Sequence, residues 1–157
     1  MGASGRKALS NKLPDLIKTN KIDFVIVNGE NASDDGRGIT QEITEEFFKI
    51  GVDVITSGNH IWDQKEILEI IDKENKIIRP ANLLEGQPGN GYGIYKIKNK
   101  KIAVINLIGN VFMKKSQDLF SFAEKMIKKI KLKKDADFII IDIHGEITSE
   151  KMALGHF

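Results

Sequence analysis

Short runs of β-branched residues alternate along this chain with stretches whose apolar positions recur every three to four residues, the pattern of an α/β architecture with parallel strands. A first amphipathic stretch starts at Ser4 or Gly5 and runs to about Asn20. It carries Leu9, Leu13, Leu16 and Ile17 on one stripe, and Pro14 inside it predicts a kink or break. Residues 24–28 read as a buried strand. Thr40 then caps a helix through Ile50 that Gly51 ends, and residues 52–56 follow as a second strand. Asp63 with Glu66 three residues on has the form of a capping box, opening a helix to about Glu74. Ile77 and Ile78 make a brief strand closed by Pro80.

In the middle of the chain the period changes. Residues 92–97 and 102–107 read as strands separated by the polar stretch 98–101, which predicts an antiparallel hairpin and so a mixed sheet. A lysine-rich helix over about 119–132 places Phe122, Met126 and Ile130 on one face. Residues 138–142 read as another fully buried strand, and Thr148 or Ser149 caps a final helix that reaches Phe157. The chain opens with a Gly-rich turn and helix that no strand precedes, and its last helix has only begun at Phe157. The expectation is a single domain over residues 1–157, truncated at both ends, with Met1 standing for an internal methionine of a longer protein.

Composition narrows the chemistry. The 157 residues are 41% hydrophobic and 29% charged, ordinary for a globular domain. A net charge of +2 provides no strong field toward nucleic acid or an anionic membrane. With no cysteine, a disulfide framework, a thiolate zinc site and a Cys nucleophile are excluded, so any metal is held by oxygen and imidazole. No apolar run approaches the roughly 18 residues of a membrane span, and the N-terminus lacks a signal-peptide core, which gives a cytoplasmic expectation.

Three strand candidates run directly into polar clusters: Asn28-Gly29-Glu30-Asn31, Ser57-Gly58-Asn59-His60 and Asp142-Ile143-His144-Gly145-Glu146. Ligands of open α/β sheets gather beyond the carboxyl ends of strands, so these clusters are expected to converge on one crevice. The set is one carboxylate (Glu30), two carboxamides (Asn31, Asn59) and two imidazoles (His60, His144), a mixture suited to Mn, Fe or Zn rather than to a Ca or Mg cage. Taken alone, Gly-Glu-Asn is a turn signal and a histidine beside a buried strand is a core residue; their recurrence after three strands favours a site.

Other features point to no site. The Gly-rich stretch 86–93 precedes a strand rather than a helix and reads as a surface loop. Lys125, Lys128, Lys129, Lys131, Lys133 and Lys134 read as the solvated side of an amphipathic helix rather than an RNA surface. His156 is given no role. A metal-free acid/base pair of Glu30 and Glu146 ranks low, because nothing in the sequence fixes their separation.

Gly58-Asn59-His60 after a buried strand resembles the third block of the calcineurin-like metallophosphoesterases. Asn28-Gly-Glu-Asn31, Gly58-Asn-His-Ile-Trp-Asp63, Ile78-Arg-Pro-Ala-Asn82, Ile105-Asn-Leu, Val111-Phe-Met113 and Ser149-Glu-Lys-Met-Ala-Leu-Gly155 together resemble the YmdB-type branch of that superfamily, over almost the whole chain. The resemblance implies a mixed-sheet α/β/β/α sandwich and a phosphodiesterase acting on cyclic nucleotides or related phosphodiesters at a binuclear metal centre. Two divalent transition-metal ions are implied, Fe or Mn foremost and Zn next, with a small phosphodiester as partner, no membrane, and oligomerisation open. Carried over by position, Glu30 would bridge the metals, Asn59 and His144 would bind one of them, Asn31 would lie at or beside the shell, and His60 would stabilise the phosphoryl group or protonate the leaving oxygen.

Two family blocks have no counterpart here: an Asp ending the first strand, and a His-x-His that would lie beyond Phe157. The expectation is therefore a residual half-site with little or no catalysis from this polypeptide alone. The rival reading is a non-catalytic truncated reading-frame product that retains a partial metal-binding scaffold.

Overall fold

Successive residues of a strand face opposite sides of a sheet, and here the two sides pack against different partners. The structure, a computed structural model, describes residues 2–113 and 115–157. In chain order its elements are α1 (Gly2–Asn20), β1 (Ile26–Asn28), α2 (Gln41–Lys49), β2 (Val54–Thr56), α3 (Ile67–Ile70), β3 (Tyr92–Ile97), β4 (Lys100–Ile108), α4 (Leu119–Lys129), β5 (Phe138–His144) and α5 (Thr148–His156). On β1 and β2, Val27 and Ile55 pack with Leu13, Ile43, Phe47 and Ile67 of the first three helices. Their neighbours Ile26 and Val54 instead meet Ile102, Val104 and Tyr95 of the second sheet. On β4, Ala103, Ile105 and Leu107 turn the other way, onto Leu119, Ala123 and Met126 of α4. The layers are therefore helix, sheet, sheet, helix, the α/β/β/α sandwich that the resemblance implies.

The first sheet pairs β1 with β2 in parallel, and single bridges from Ile55 to Ile77 and from Ile78 to Asn90 extend it. The second has the order β3-β4-β5, antiparallel then parallel, so the mixed sheet expected from the hairpin is present. No helix among the described residues is long and apolar enough to cross a membrane.

Local chemistry explains most boundaries. Thr40 caps α2, its hydroxyl accepting from the Ile43 N–H at 3.2 Å, and Gly51 follows the helix at φ 101°, where a side chain would be strained. Asp118 caps α4, accepting from the Ser121 N–H at 2.8 Å, and its carboxyl is thereby held below the ordinary carboxylate range.

Four expectations are corrected. First, Pro14 does not break α1, which runs on to Asn20, because Leu13 is buried and Leu9 and Ile17 pack on the same cluster, holding the segment on both sides of the missing N–H. Second, Asp63 and Glu66 form no capping box. Residues 60–66 are turns with a bend at Gln64, the short α3 starts later, Glu66 makes no side-chain cap, and Asp63 bonds His60 instead. Third, β5 is not fully buried: it ends the strand order with β4 as its neighbour, leaving Phe138 51% and Ile140 39% exposed. Finally, neither Thr148 nor Ser149 caps α5; both lie within its first turn, after Ile147.

Between the sheets, Tyr95 packs against Phe24 and donates its hydroxyl to the Asn75 carbonyl at 2.8 Å. Burial, aided by the charge of Glu74, pushes its phenol up to about 12. An unfolded tyrosine ionises near 10, so the native state resists deprotonation, and stability present below pH ~10 is lost as pH rises toward 12. A spectrophotometric titration of the protein minus that of Tyr95→Phe is expected to show this phenol ionising near the upper end of that window; a midpoint at 10 would contradict the burial.

Candidate metal centre

Three polar side chains tie the strand ends of the two sheets together. Asn28, at the end of β1, donates to an Asp142 carboxylate oxygen on β5 at 2.9 Å. Asn106, buried on β4, accepts from the Ser57 N–H at 3.1 Å and donates to the Asp142 carbonyl at 3.2 Å. A third amide, Asn82, clamps the end of β4: it donates to the Ile108 carbonyl at 2.7 Å and accepts from the Ile108 N–H at 2.9 Å. These bonds bring the turns after β1, β2 and β5 to one place.

Glu30 lies at their meeting point. It sits two residues past β1 and is 1% exposed. Its backbone N–H donates to Asn28 Oδ1 at 3.1 Å, and the preceding Gly29 N–H donates to the Thr56 carbonyl at 2.8 Å, which fixes the turn against β2. One carboxylate oxygen contacts His144 Nδ1; the other accepts a long bond, 3.4 Å, from the His60 N–H. The carboxylate lies flat on Gly58, where a Cβ would overlap its atoms. Ala at position 58 would force Glu30 out of place, a physical reason for glycine there.

His60 follows in the turn after β2. Its Nδ1 lies 2.6 Å from Asp63 Oδ2, which fixes the ring and leaves Nε2 for other contacts; about a quarter of the side chain is exposed. Asn59 stands between Gly58 and His60 and is half-buried. Asn31 follows Glu30, half-buried, with its carbonyl accepting from the Gly2 N–H at 2.6 Å and a bridge to Gly38. Glu146 is exposed, an environment unlike that of Glu30.

The structure thus joins Glu30 to His144 across the two sheets and sets the His60 backbone beside them, with Asn59 and Asn31 one residue away along the chain. Among the described residues no group of three or more His, Asp or Glu side chains gathers closely enough to hold a metal ion by itself. The donor set nevertheless fits a cation. A carboxylate this buried is costly unless paired or coordinated, and among the described residues an imidazole and one long N–H bond serve the four lone-pair sites of Glu30. Amide oxygens from Asn59 and Asn31 are neutral donors of the type that can complete such a shell.

Sequence reasoning gave no role to Asn28, Asn106 or Asp142. Their signal was a polar residue inside or ending an apolar strand, which is costly unless bonded. A separate cavity of about 460 Å³ is lined by Arg6, Asp34, Asp35, Glu42, Glu46 and Gln64 among others, and none of the metal-site candidates borders it. There the Ser33 hydroxyl and the Arg37 N–H hold the Asp35 carboxyl below the ordinary carboxylate range.

A family model described as YmdB-like protein matches residues 1–157. The 2',3'-cyclic-nucleotide 2'-phosphodiesterase of Bacillus subtilis (strain 168) is 42% identical over 157 residues, which are 100% of this chain and 58% of that protein. Among solved structures, a novel phosphatase from Mycoplasma pneumoniae superposes with a TM-score of 0.89 at 33% identity, covering 99% of this chain and 56% of that one. The NAD nucleotidase of Haemophilus influenzae, at 19% identity and a TM-score of 0.65, covers 95% of this chain and 33% of its own, and shares the fold. The chain spans under two thirds of the length of each of these proteins.

Proposed function

The chain belongs to the YmdB-like protein family, and on that premise we propose that it carries part of the active site of a cytoplasmic, metal-dependent phosphodiesterase that hydrolyses cyclic nucleotides or related diesters at a binuclear centre. The observation that carries this reading is Glu30: a buried carboxylate in contact with His144 of the other sheet and seated on a glycine that leaves it room. Glu30 would bridge two divalent ions, Fe or Mn foremost and Zn next, with Asn59 and His144 holding one of them and Asn31 at or beside the shell. When bound, the ions supply Lewis acidity, drawing charge from a phosphoryl oxygen and making water a stronger nucleophile near neutral pH.

The chain's own residues do the rest. The Asn28, Asn106 and Asp142 bonds hold the two sheets in register at the site, so that Glu30 and His144 keep their places. His60, oriented by Asp63, presents Nε2 toward the phosphodiester. As water attacks phosphorus and one ester P–O bond breaks, a proton from Nε2 would neutralise the leaving alkoxide, and the proton shed by the water would pass to solvent and restore the imidazolium.

Metal uptake is the firmer readout of the proposed site, because it reports on Glu30 directly. In equilibrium dialysis against Mn²⁺, the chain is expected to take up metal that Glu30→Gln binds at least about tenfold more weakly. Any hydrolysis of a 2',3'-cyclic nucleotide is expected to fall with it. Equal Mn²⁺ uptake by the variant, or hydrolysis that survives the substitution, would refute the bridging role.

A further inference from the structure

The Gly-rich loop that the sequence leaves without a function borders a second cavity, of about 230 Å³, beneath α4. Its walls include Arg79, Asn90 and Tyr92 on one side and Phe122, Lys125 and Lys129 of α4 on the other; Glu30, Asn31, Asn59, His60 and His144 are not among them. Each charged side chain of the lining is a cation, in a protein whose overall charge is only +2. Such a concentration in a concave place produces a local positive potential that the net charge hides.

The three cations are arranged rather than merely present. Lys125 and Lys129 are one helical turn apart and share a face of α4. Their ammonium groups lie over aromatic rings, Lys125 at 5.6 Å from the Phe122 centroid and Lys129 at 4.8 Å from that of Tyr92. Cation–π contact orients an ammonium without neutralising it. The neighbouring Lys128, by contrast, is paired with Glu124 at 2.6 Å.

Arg79 is fixed by three carbonyls, donating to Pro80 at 2.8 Å, Pro88 at 3.1 Å and Gln87 at 3.2 Å, so its charge is held in place. The nearby carboxylate of Asp72 accepts from the Gly89 N–H at 2.6 Å and so tethers the loop. Within the loop, Gly89 has φ +82° and lies against Ile71, and a Cβ at Gly91 would overlap Ala81. The loop backbone is therefore flush with its neighbours.

We infer that this cavity binds the phosphate group of a small phosphomonoester, with Lys125, Lys129 and Arg79 supplying the positive charge. A phosphomonoester carries about −1.5 to −2 charges near pH 7, which suits three cations with no carboxylate in the wall. The volume falls below the roughly 300–1,000 Å³ of drug-sized ligands and limits the occupant to about a sugar phosphate.

Amide-resolved NMR tests this on the chain with a chelator present, so that the outcome does not depend on metal binding at Glu30. Inorganic phosphate and ribose 5-phosphate are each expected to shift the Gly89, Gly91, Lys125 and Lys129 amides saturably, and ribose is not. Lys125→Gln with Lys129→Gln, both at exposed positions, is expected to weaken the effect at least about tenfold. The charge-matched pair Lys131→Gln with Lys134→Gln is expected to leave it unchanged. The inference is overturned by any of four results: no saturable shift with either phosphate, shifts confined to residues around Glu30 and His60, saturation by ribose, or equal loss in the two double variants.

Discussion

His60→Ala is expected to lower phosphodiester turnover by roughly 10²–10⁴-fold, the range for loss of one general acid, while bound metal changes little. The two readouts separate because the residue meets the site in two ways. Its backbone N–H, which donates to Glu30 at 3.4 Å, survives the substitution, whereas the ring held by Asp63 does not. Asp63→Asn, which keeps a polar group of similar size but removes the charge beside Nδ1, is expected to give a smaller loss. Turnover and Mn²⁺ content should be measured together on the same preparation. A parallel loss of metal would make His60 a ligand, and unchanged turnover would remove it from the chemistry.

The largest effect on folding is expected from Phe47→Ala. Phe47 is fully buried on α2 against the outer face of the first sheet, and its carbonyl accepts from Val52 as the chain enters β2. Emptying such a site costs about 3–5 kcal/mol, against a total margin of about 5–15 kcal/mol. In urea this lowers the midpoint by on the order of 2 M for a slope near 2 kcal/mol/M. Phe48, half-buried with the Lys76 ammonium over its ring at 5.4 Å, supplies the comparison, and its replacement by Ala is expected to cost less. Equal midpoints for the two variants would mean that α2 is not anchored through Phe47.

What the sequence disclosed follows from which features are local. Thr40 and Gly51 bracket α2 because capping and a left-handed turn depend on neighbouring residues. The layer order came only from the family resemblance: Ala103, Val104 and Ile105 are all apolar, so the residues alone do not tell which side chain meets α4 and which the first sheet. Asp63 was misread because a cap and a histidine partner look alike in sequence, and only the fold shows which one the carboxylate meets. The run at 138–142 is as apolar as a central strand, yet its position in the order β3-β4-β5 leaves Phe138 and Ile140 partly exposed. At the site, the polar clusters after β1, β2 and β5 were visible one by one. The bonds from Asn28 and Asn106 to Asp142 were not, since they join residues far apart in the chain.

The seating of Glu30 affects the energetics of ligation. A carboxylate side chain free in solvent must surrender its rotamer freedom when it first grips an ion, and that ordering weakens affinity. Here the flat face of Gly58 on one side and His144 on the other confine the group during folding. If Glu30 is the ligand proposed above, a cation would meet a donor already preorganised, and its affinity would be reduced chiefly by its own dehydration and by displacement of the imidazole contact.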